Sequence, residues 1–383
     1  MDSNSNSLVR DFEISLIKNE ANFYLEFMLN FIQTKSSGVL IFELLPYLSL
    51  FTVESSNYIQ SCLPNYAEEI SREYERVIRN SRMRIKFFDD TNNRVDGMFE
   101  LIDWISQFYE DWFINSHTSS IKRDLQPDFG IFAYDGHIIG STHMSFLFTG
   151  LGKEDISPNG EETGEIMGKI LHSVAQEMGA YLGCLNTYPE FMFTETNSFV
   201  YNIEDDKLGY KDVKSKEFFG CVFNKNHTIA INFSLVLFLA TINFFRYILN
   251  RLFDKSPEIL FKLKFIMLYH IVSSLQKLQD YCYPKNLLSE QSKEYLKDIL
   301  KSKELKKLTR KDLRNILVHY KLEKVPPDLI DQGFDLKNLV EYFFPSQRFE
   351  EIDQKINDQI IHISDILEQW LNWNVKSSQF SKW

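Results

Sequence analysis

The segment LTRKDLRNILVHYKLEKVPP, residues 308–327, encodes a helix with two unlike faces. Thr309 and Asp312 form a T-x-x-D start signal, so the helix is expected to begin at about Arg310. Pro326-Pro327 stop it, giving a predicted span of 310–324. At ~100° per residue, Leu313, Ile316, Leu317 and Tyr320 fall on one stripe, the i, i+3, i+4, i+7 pattern of a buried face. Arg314, Asn315, Val318 and His319 occupy the opposite face, with Arg314 and His319 about 140° apart. An apolar Val318 among three polar groups marks a covered surface. A partner subunit would cover it without placing the polar groups in a dry core, so Val318 is the expected dimer contact.

On either side of this helix, residues 228–375 read as a helical bundle with candidate helices over 230–253, 257–282, 289–302, 310–324 and 349–372. The first includes IAINFSLVLFLATINFF, residues 229–245. It falls short of the ~20 apolar residues of a membrane span, and it contains Asn232, Ser234, Thr241 and Asn243. The expectation is a helix buried in protein, with no membrane partner.

Residues from about 8 to 120 show helical spacing in NFYLEFMLNFIQ, YAEEISREYERVIRNSRMRIKFF and FELIDWISQFYEDWF, with Asn65 and Glu68 as a capping box before the second. From about 125 to 228 the pattern changes. DFGIFAYDGHIIG has apolar runs flanking Asp135-Gly136, a two-residue hairpin signal. HMSFLFTG and EFFGCVFN read as strands, and IMGKILHSVAQEMGAYLG as a helix. The expected fold is mainly α: a 1–227 region, helical and then small α/β, before the 228–375 bundle and a 376–383 tail.

The four cysteines, Cys62, Cys184, Cys221 and Cys282, are widely separated and include no C-x-x-C pair, which excludes a zinc ribbon, a redox dithiol and a disulfide framework. The polar start MDSNSNS has no positively charged n-region, so a reduced cytoplasmic protein is expected. Most of the 33 Phe are read as core. The net charge of −11 is wrong for a protein that coats nucleic acid. Its distribution is uneven, however. Residues 285–324 hold 12 Lys and Arg against 6 Asp and Glu, a local +6 that leaves −17 elsewhere. A basic island on an acidic body suits a site that handles one phosphate at a time, although alternating Lys and Glu also make a solvated helix face.

Arg314-Asn315-Ile316-Leu317-Val318-His319 resembles the R-x(4–6)-H motif of the HEPN superfamily, including the polar residue after the Arg. The resemblance covers residues 228–375, where the motif sits on a late helix of a helical domain. It implies a metal-independent ribonuclease of the kind found in toxin–antitoxin, abortive-infection and CRISPR-linked defence. Such a protein needs no cofactor, and its composite site joins Arg314 and His319 from both copies of a homodimer. An antitoxin or a trigger is the further partner this implies.

The residue types suit that chemistry. RNA carries its own nucleophile in the 2′-hydroxyl, an imidazole can move protons near neutral pH, and a guanidinium fork fits phosphate oxygens. Asn315 can hydrogen-bond the phosphate or orient His319, and the product would be a 2′,3′-cyclic phosphate. The alternative is a non-catalytic HEPN interaction or nucleotide-binding module. Retention of Arg, the following polar residue and His favours the enzyme. An unrelated helical scaffold is a third reading, supported if Arg314 and His319 lie away from any dimer interface.

Other candidates are weaker. Gly150-Leu151-Gly152-Lys153-Glu154 lacks the hydroxyl residue of a P-loop, and there is no H-E-x-x-H. His137 and His143, with Asp135 and His117, read as loop histidines rather than a metal site, and Cys184 has no base partner. His270 and His362 read as structural. Glu100 and Asp103 read as a solvated face.

Overall fold

A computed structural model of the chain describes residues 3–382 except 32–36, 63–71, 89–93, 116–118, 157–159, 193–202, 253–256, 323, 332 and 374–378. The expected Asn65–Glu68 cap and His117 lie outside the described residues. The chain is mainly helical, with a small antiparallel sheet.

The first half comprises helices α1 (Ser3–Phe31), α2 (Ser37–Cys62), α3 (Arg72–Arg84), α4 (Val95–Tyr109, continuing as a π turn to Asn115) and α5 (Ser120–Leu125). Then come β1 (Phe129–Tyr134), β2 (His137–Ser141), α6 (Thr142–Thr149), α7 (Gly160–Leu185), β3 (Leu208–Val213) and α8 (Ser215–Cys221). The second half runs through α9 (Ile229–Asn243), a π turn, α10 (Asn250–Leu252), α11 (Pro257–Cys282), α12 (Glu290–Leu300), α13 (Lys303–Leu308), α14 (Lys311–His319), α15 (Leu336–Phe343), α16 (Phe349–Leu371) and β4 (Ser381–Lys382).

The Asp135-Gly136 hairpin forms as expected. Both residues have positive φ, 51° and 87°, as a two-residue turn between twisted strands requires. The strand order is β2-β1-β3-β4. The C-terminal tail is therefore part of the sheet: Ser381 and Lys382 pair with Tyr210 and Gly209.

Two expected strands are helices. HMSFLFTG forms α6, which Ser141 caps by accepting the Met144 N–H at 3.2 Å and Gly150 ends in the left-handed region with φ 77°. EFFGCVFN contributes most of α8. A short apolar run has no periodicity to separate strand from helix, so the flanking cap and glycine decide.

α9 lies at the centre of the protein. Ala230 to Asn243 are all buried, packed against β2, α4, α8, α11 and α16. By length and composition, α2 and the Ile229–Leu249 helix could each cross a membrane, yet both are largely buried inside the protein. The polar groups of α9 have protein partners. Ser234 and Thr241 donate to carbonyls of their own helix, while Asn232 donates to the Phe219 and Asn224 carbonyls. Asn243 donates to the Ile138 carbonyl at 3.0 Å and to Glu368 Oε1 at 2.9 Å, and accepts from Ser364 at 2.7 Å. The hydrophobic core is one continuous cluster from Phe12 to Phe380, spanning the expected boundary near residue 228.

Candidate functional site

α14 keeps the expected apolar stripe: Leu313, Ile316, Leu317 and Tyr320 are all buried. Two features differ from the sequence expectation. Thr309 does not cap α14; its hydroxyl donates to the Leu305 carbonyl and closes α13 instead. The helix ends at His319 rather than near 324, because Tyr320 enters the left-handed region with φ 60°. The Leu322 N–H, which a longer helix would have used, instead donates to Glu13 Oε1 of α1 at 2.8 Å.

Val318 is 1% exposed within the single chain. The expectation that a partner subunit covers it is corrected: α14 is packed between α2 and α11, so the chain covers Val318 itself.

The N-terminal helices supply three carboxylates to the end of α14. Glu13 Oε1 takes the Leu322 amide, and its Oε2 accepts from Tyr58 at 2.6 Å. Glu20, 1% exposed, accepts from the Tyr320 hydroxyl at 2.7 Å and pairs with buried Lys262, whose ammonium lies 4.2 Å above the Tyr320 ring centre. Burial, then the neighbouring Glu20 carboxylate, holds the Tyr320 phenol well above its ordinary range, so it stays protonated and donates.

Glu54 of α2 is the third carboxylate. It accepts from His319 Nδ1 at 2.7 Å and is ion-paired with Arg82 of α3. Burial pushes the Glu54 carboxyl up, but the His319 hydrogen bond and the charges of Arg82, His319 and Lys86 outweigh it, leaving Glu54 below its ordinary value. An ionised carboxylate can only accept, so Nδ1 of His319 must carry a proton. In the neutral imidazole, Nε2 is then the free base.

His319, with 41% of its side chain exposed, opens onto a cavity of about 270 Å³. Its walls are Glu54, Asn57 and Tyr58 of α2, Asp312, Asn315, Ile316 and His319 of α14, and Lys321 and Lys324 beyond it. Lys324 is bonded to Asp312 at 2.5 Å, whereas Lys321 has no ion-pair partner among the described residues.

Arg314 does not line this cavity. Its Nη1 donates to Asn315 Oδ1 at 3.0 Å, its Nη2 lies 3.3 Å from His270 Nε2, and its guanidinium sits 5.5 Å from the Tyr269 ring centre. The structure therefore joins Asn315 and His319 in one cavity and links Arg314 to it through Asn315. His270, expected to be structural, is the buried neighbour of Arg314.

Sequence reasoning missed Glu54, Arg82, Asn57 and Lys321. The available signal for Glu54 was a lone carboxylate inside LSLFTVESSNYI, residues 48–59, an apolar setting that demands a buried partner. Of the other candidates, His137 bonds Glu368 at 2.6 Å. His143 is fully buried against Tyr109, and burial lowers its pKa to about 3. Glu100, Asp103 and His362 are exposed. No group of three potential metal ligands occurs among the described residues. Compared with protein-family models, curated proteins and solved structures, the chain matches none.

Proposed function

We propose that this chain is a metal-independent endoribonuclease of HEPN type, with His319 as the proton-transfer group and Glu54 as the residue that positions it. The observation that supports the reading most is the Glu54–His319 pair at 2.7 Å on the wall of a cavity that also holds Asn315 and Lys321. A buried carboxylate fixes the imidazole's tautomer and orientation, and it stabilises the imidazolium formed once Nε2 takes a proton.

In the proposed reaction His319 removes the proton of the 2′-hydroxyl. The 2′-oxygen attacks phosphorus, and the 5′-oxygen leaves with a proton from a second carrier. The HEPN resemblance supplies that carrier as His319 of a second copy, in a homodimer whose contact is not Val318. Lys321 and Asn315 face the phosphate, and Arg314 acts through Asn315.

The test is cleavage of total RNA and tRNA by the purified protein in EDTA, wild type beside His319→Ala. Cleavage that persists in EDTA, disappears in the variant and leaves 2′,3′-cyclic phosphate ends is the expected result. Ends bearing a 3′-hydroxyl would overturn the mechanism. A toxin or anti-phage role further predicts growth inhibition on expression, relieved by the same substitution. One observation favours a second reading, a non-catalytic HEPN interaction or nucleotide-binding module. Arg314 is engaged by His270 and Asn315 rather than presented to the cavity. The absence of cleavage by wild type and variant alike would move the weight there.

A further inference from the structure

The basic island of residues 285–324 divides into two unlike parts. In the first, Lys293, Lys297 and Lys301 each pair with the carboxylate three residues earlier, Glu290, Glu294 and Asp298. These are the solvated face that alternating charges suggest. In the second, Lys306, Lys307 and Lys311 are exposed and have no ion-pair partner among the described residues. Of the acids beside them, Glu304 is instead 3.3 Å from Lys355 of α16, and Asp312 is bonded to Lys324 at 2.5 Å.

Lys306, Lys307 and Arg310 wall an open groove of about 460 Å³ whose other side is Phe343, Phe344 and Pro345. Arg310 donates to the Phe343 carbonyl at 2.5 Å, which fixes its guanidinium at the rim and leaves the rest of the fork available. The groove thus presents positive charge along one edge, while on the other Phe343 and Phe344 are buried beneath Arg310 and Pro345 is exposed, a surface suited to a phosphate.

The groove also has a direction relative to the site. Lys311, Asn315 and His319 are spaced i, i+4, i+8 and form one ridge of α14. At 1.5 Å per residue, Arg310 and His319 are about 13 Å apart along the axis. Arg310 lies about 180° from His319 around the helix, so a strand held in the groove must cross the Lys311 edge of α14 to enter the His319 cavity, a path that takes an oligonucleotide. A dinucleoside monophosphate, with one phosphate, occupies one or the other.

We infer that the groove of Lys306, Lys307 and Arg310 is a subsite for single-stranded RNA, holding the strand at a phosphate remote from the one cleaved. This rests on the RNA reading of the His319 cavity, and its test is separable from that reading. The test is binding of a short labelled single-stranded oligoribonucleotide, by fluorescence anisotropy across a salt series. Wild type is set beside Lys306→Ala/Lys307→Ala, with cleavage of the oligonucleotide and of a dinucleoside monophosphate measured in parallel. Both lysines are exposed on a short helix, so the double variant should keep the wild-type melting curve.

The expected result is about tenfold weaker binding, with the slope of log affinity on log salt reduced by about 1.4, that is ~0.7 for each of two phosphates no longer neutralised. Cleavage of the oligonucleotide should lose kcat/KM through KM, while dinucleoside cleavage stays unchanged. Equal affinity and slope in the two proteins would overturn the subsite, as would no RNA binding by wild type. Displacement of the RNA by polyglutamate at equal charge would also overturn it, since the groove would then fit an acidic protein surface. If neither substrate is cleaved but the binding difference appears, the subsite stands and the catalytic reading fails.

Discussion

Glu54→Gln tests whether the carboxylate beside His319 is a charged, buried hub. Glu54 is 5% exposed and serves two partners, accepting from His319 at 2.7 Å and pairing with Arg82. Glutamine keeps the volume and one acceptor, so the His319 bond survives as a neutral one of roughly half the strength. Arg82 then faces an amide, but its side chain is 21% exposed and recovers part of its hydration. Complete loss of a buried ion-pair partner costs about 3–5 kcal/mol, and one charge-assisted hydrogen bond about 1.5–3 kcal/mol. The retained acceptor and the partial hydration of Arg82 place the expected loss near ~2 kcal/mol at neutral pH.

The pH dependence follows from the direction of the shift. The folded Glu54 carboxyl lies below its ordinary value of 4.5. Its contribution to stability is therefore complete above that value and is lost as pH falls through the lower folded one. Urea denaturation of wild type and Glu54→Gln across this range should show midpoints that differ at neutral pH and converge in acid. Equal midpoints at neutral pH, or a gap that does not close on acidification, would refute the reasoning. In the EDTA cleavage assay the same variant should lose about 10²-fold in kcat with little change in KM, as expected when a base is mispositioned but substrate binding is intact.

Other substitutions probe the frame around the site. Tyr320→Phe removes the donor to Glu20 while leaving Lys262 in place, and should cost about 2 kcal/mol by chemical denaturation. Lys262→Met strands the Glu20 carboxylate with the Tyr320 hydroxyl and should cost more, about 3–5 kcal/mol; the reverse order of the two variants would contradict the assignment of charge in that cluster. Gly150→Ala places a Cβ 2.4 Å from both the Ser81 amide nitrogen and the Val77 carbonyl oxygen at a residue with φ 77°. A loss of more than about 1 kcal/mol is expected from the melting curve, and an unchanged curve would show that the α6–α3 contact can shift freely.

The features readable in sequence are those with a local cause. The stripe of α14 is periodic, the Asp135-Gly136 turn needs two residues that tolerate positive φ, and α9 is a long, mostly apolar run. α6 and α8 read as strands because short apolar runs satisfy either period, although Ser141 and Gly150 at the ends of α6 mark it as a helix. Val318 misleads for a related reason. A helical wheel shows that a surface is covered but not by what, and here Val318 is already buried within its own chain. Glu54 left the weakest trace. Its imidazole partner lies 265 residues away, and a carboxylate in an apolar run shows only that some partner exists.

The three carboxylates at the end of α14 also bear on when the site can exist. The hydrogen bonds that Glu54, Glu20 and Glu13 accept close sequence separations of 265, 300 and 309 residues. Contacts this distant form late, because the entropy of closing the intervening chain must be met first. During synthesis the N-terminal helices emerge with their carboxylates long before His319 and Tyr320 leave the ribosome. A chain interrupted before residue 319 holds the acids and no imidazole, and a fragment starting after residue 54 holds the imidazole without its support. Assembly of the cavity therefore requires synthesis to have passed Lys324, and each half alone holds only part of its lining.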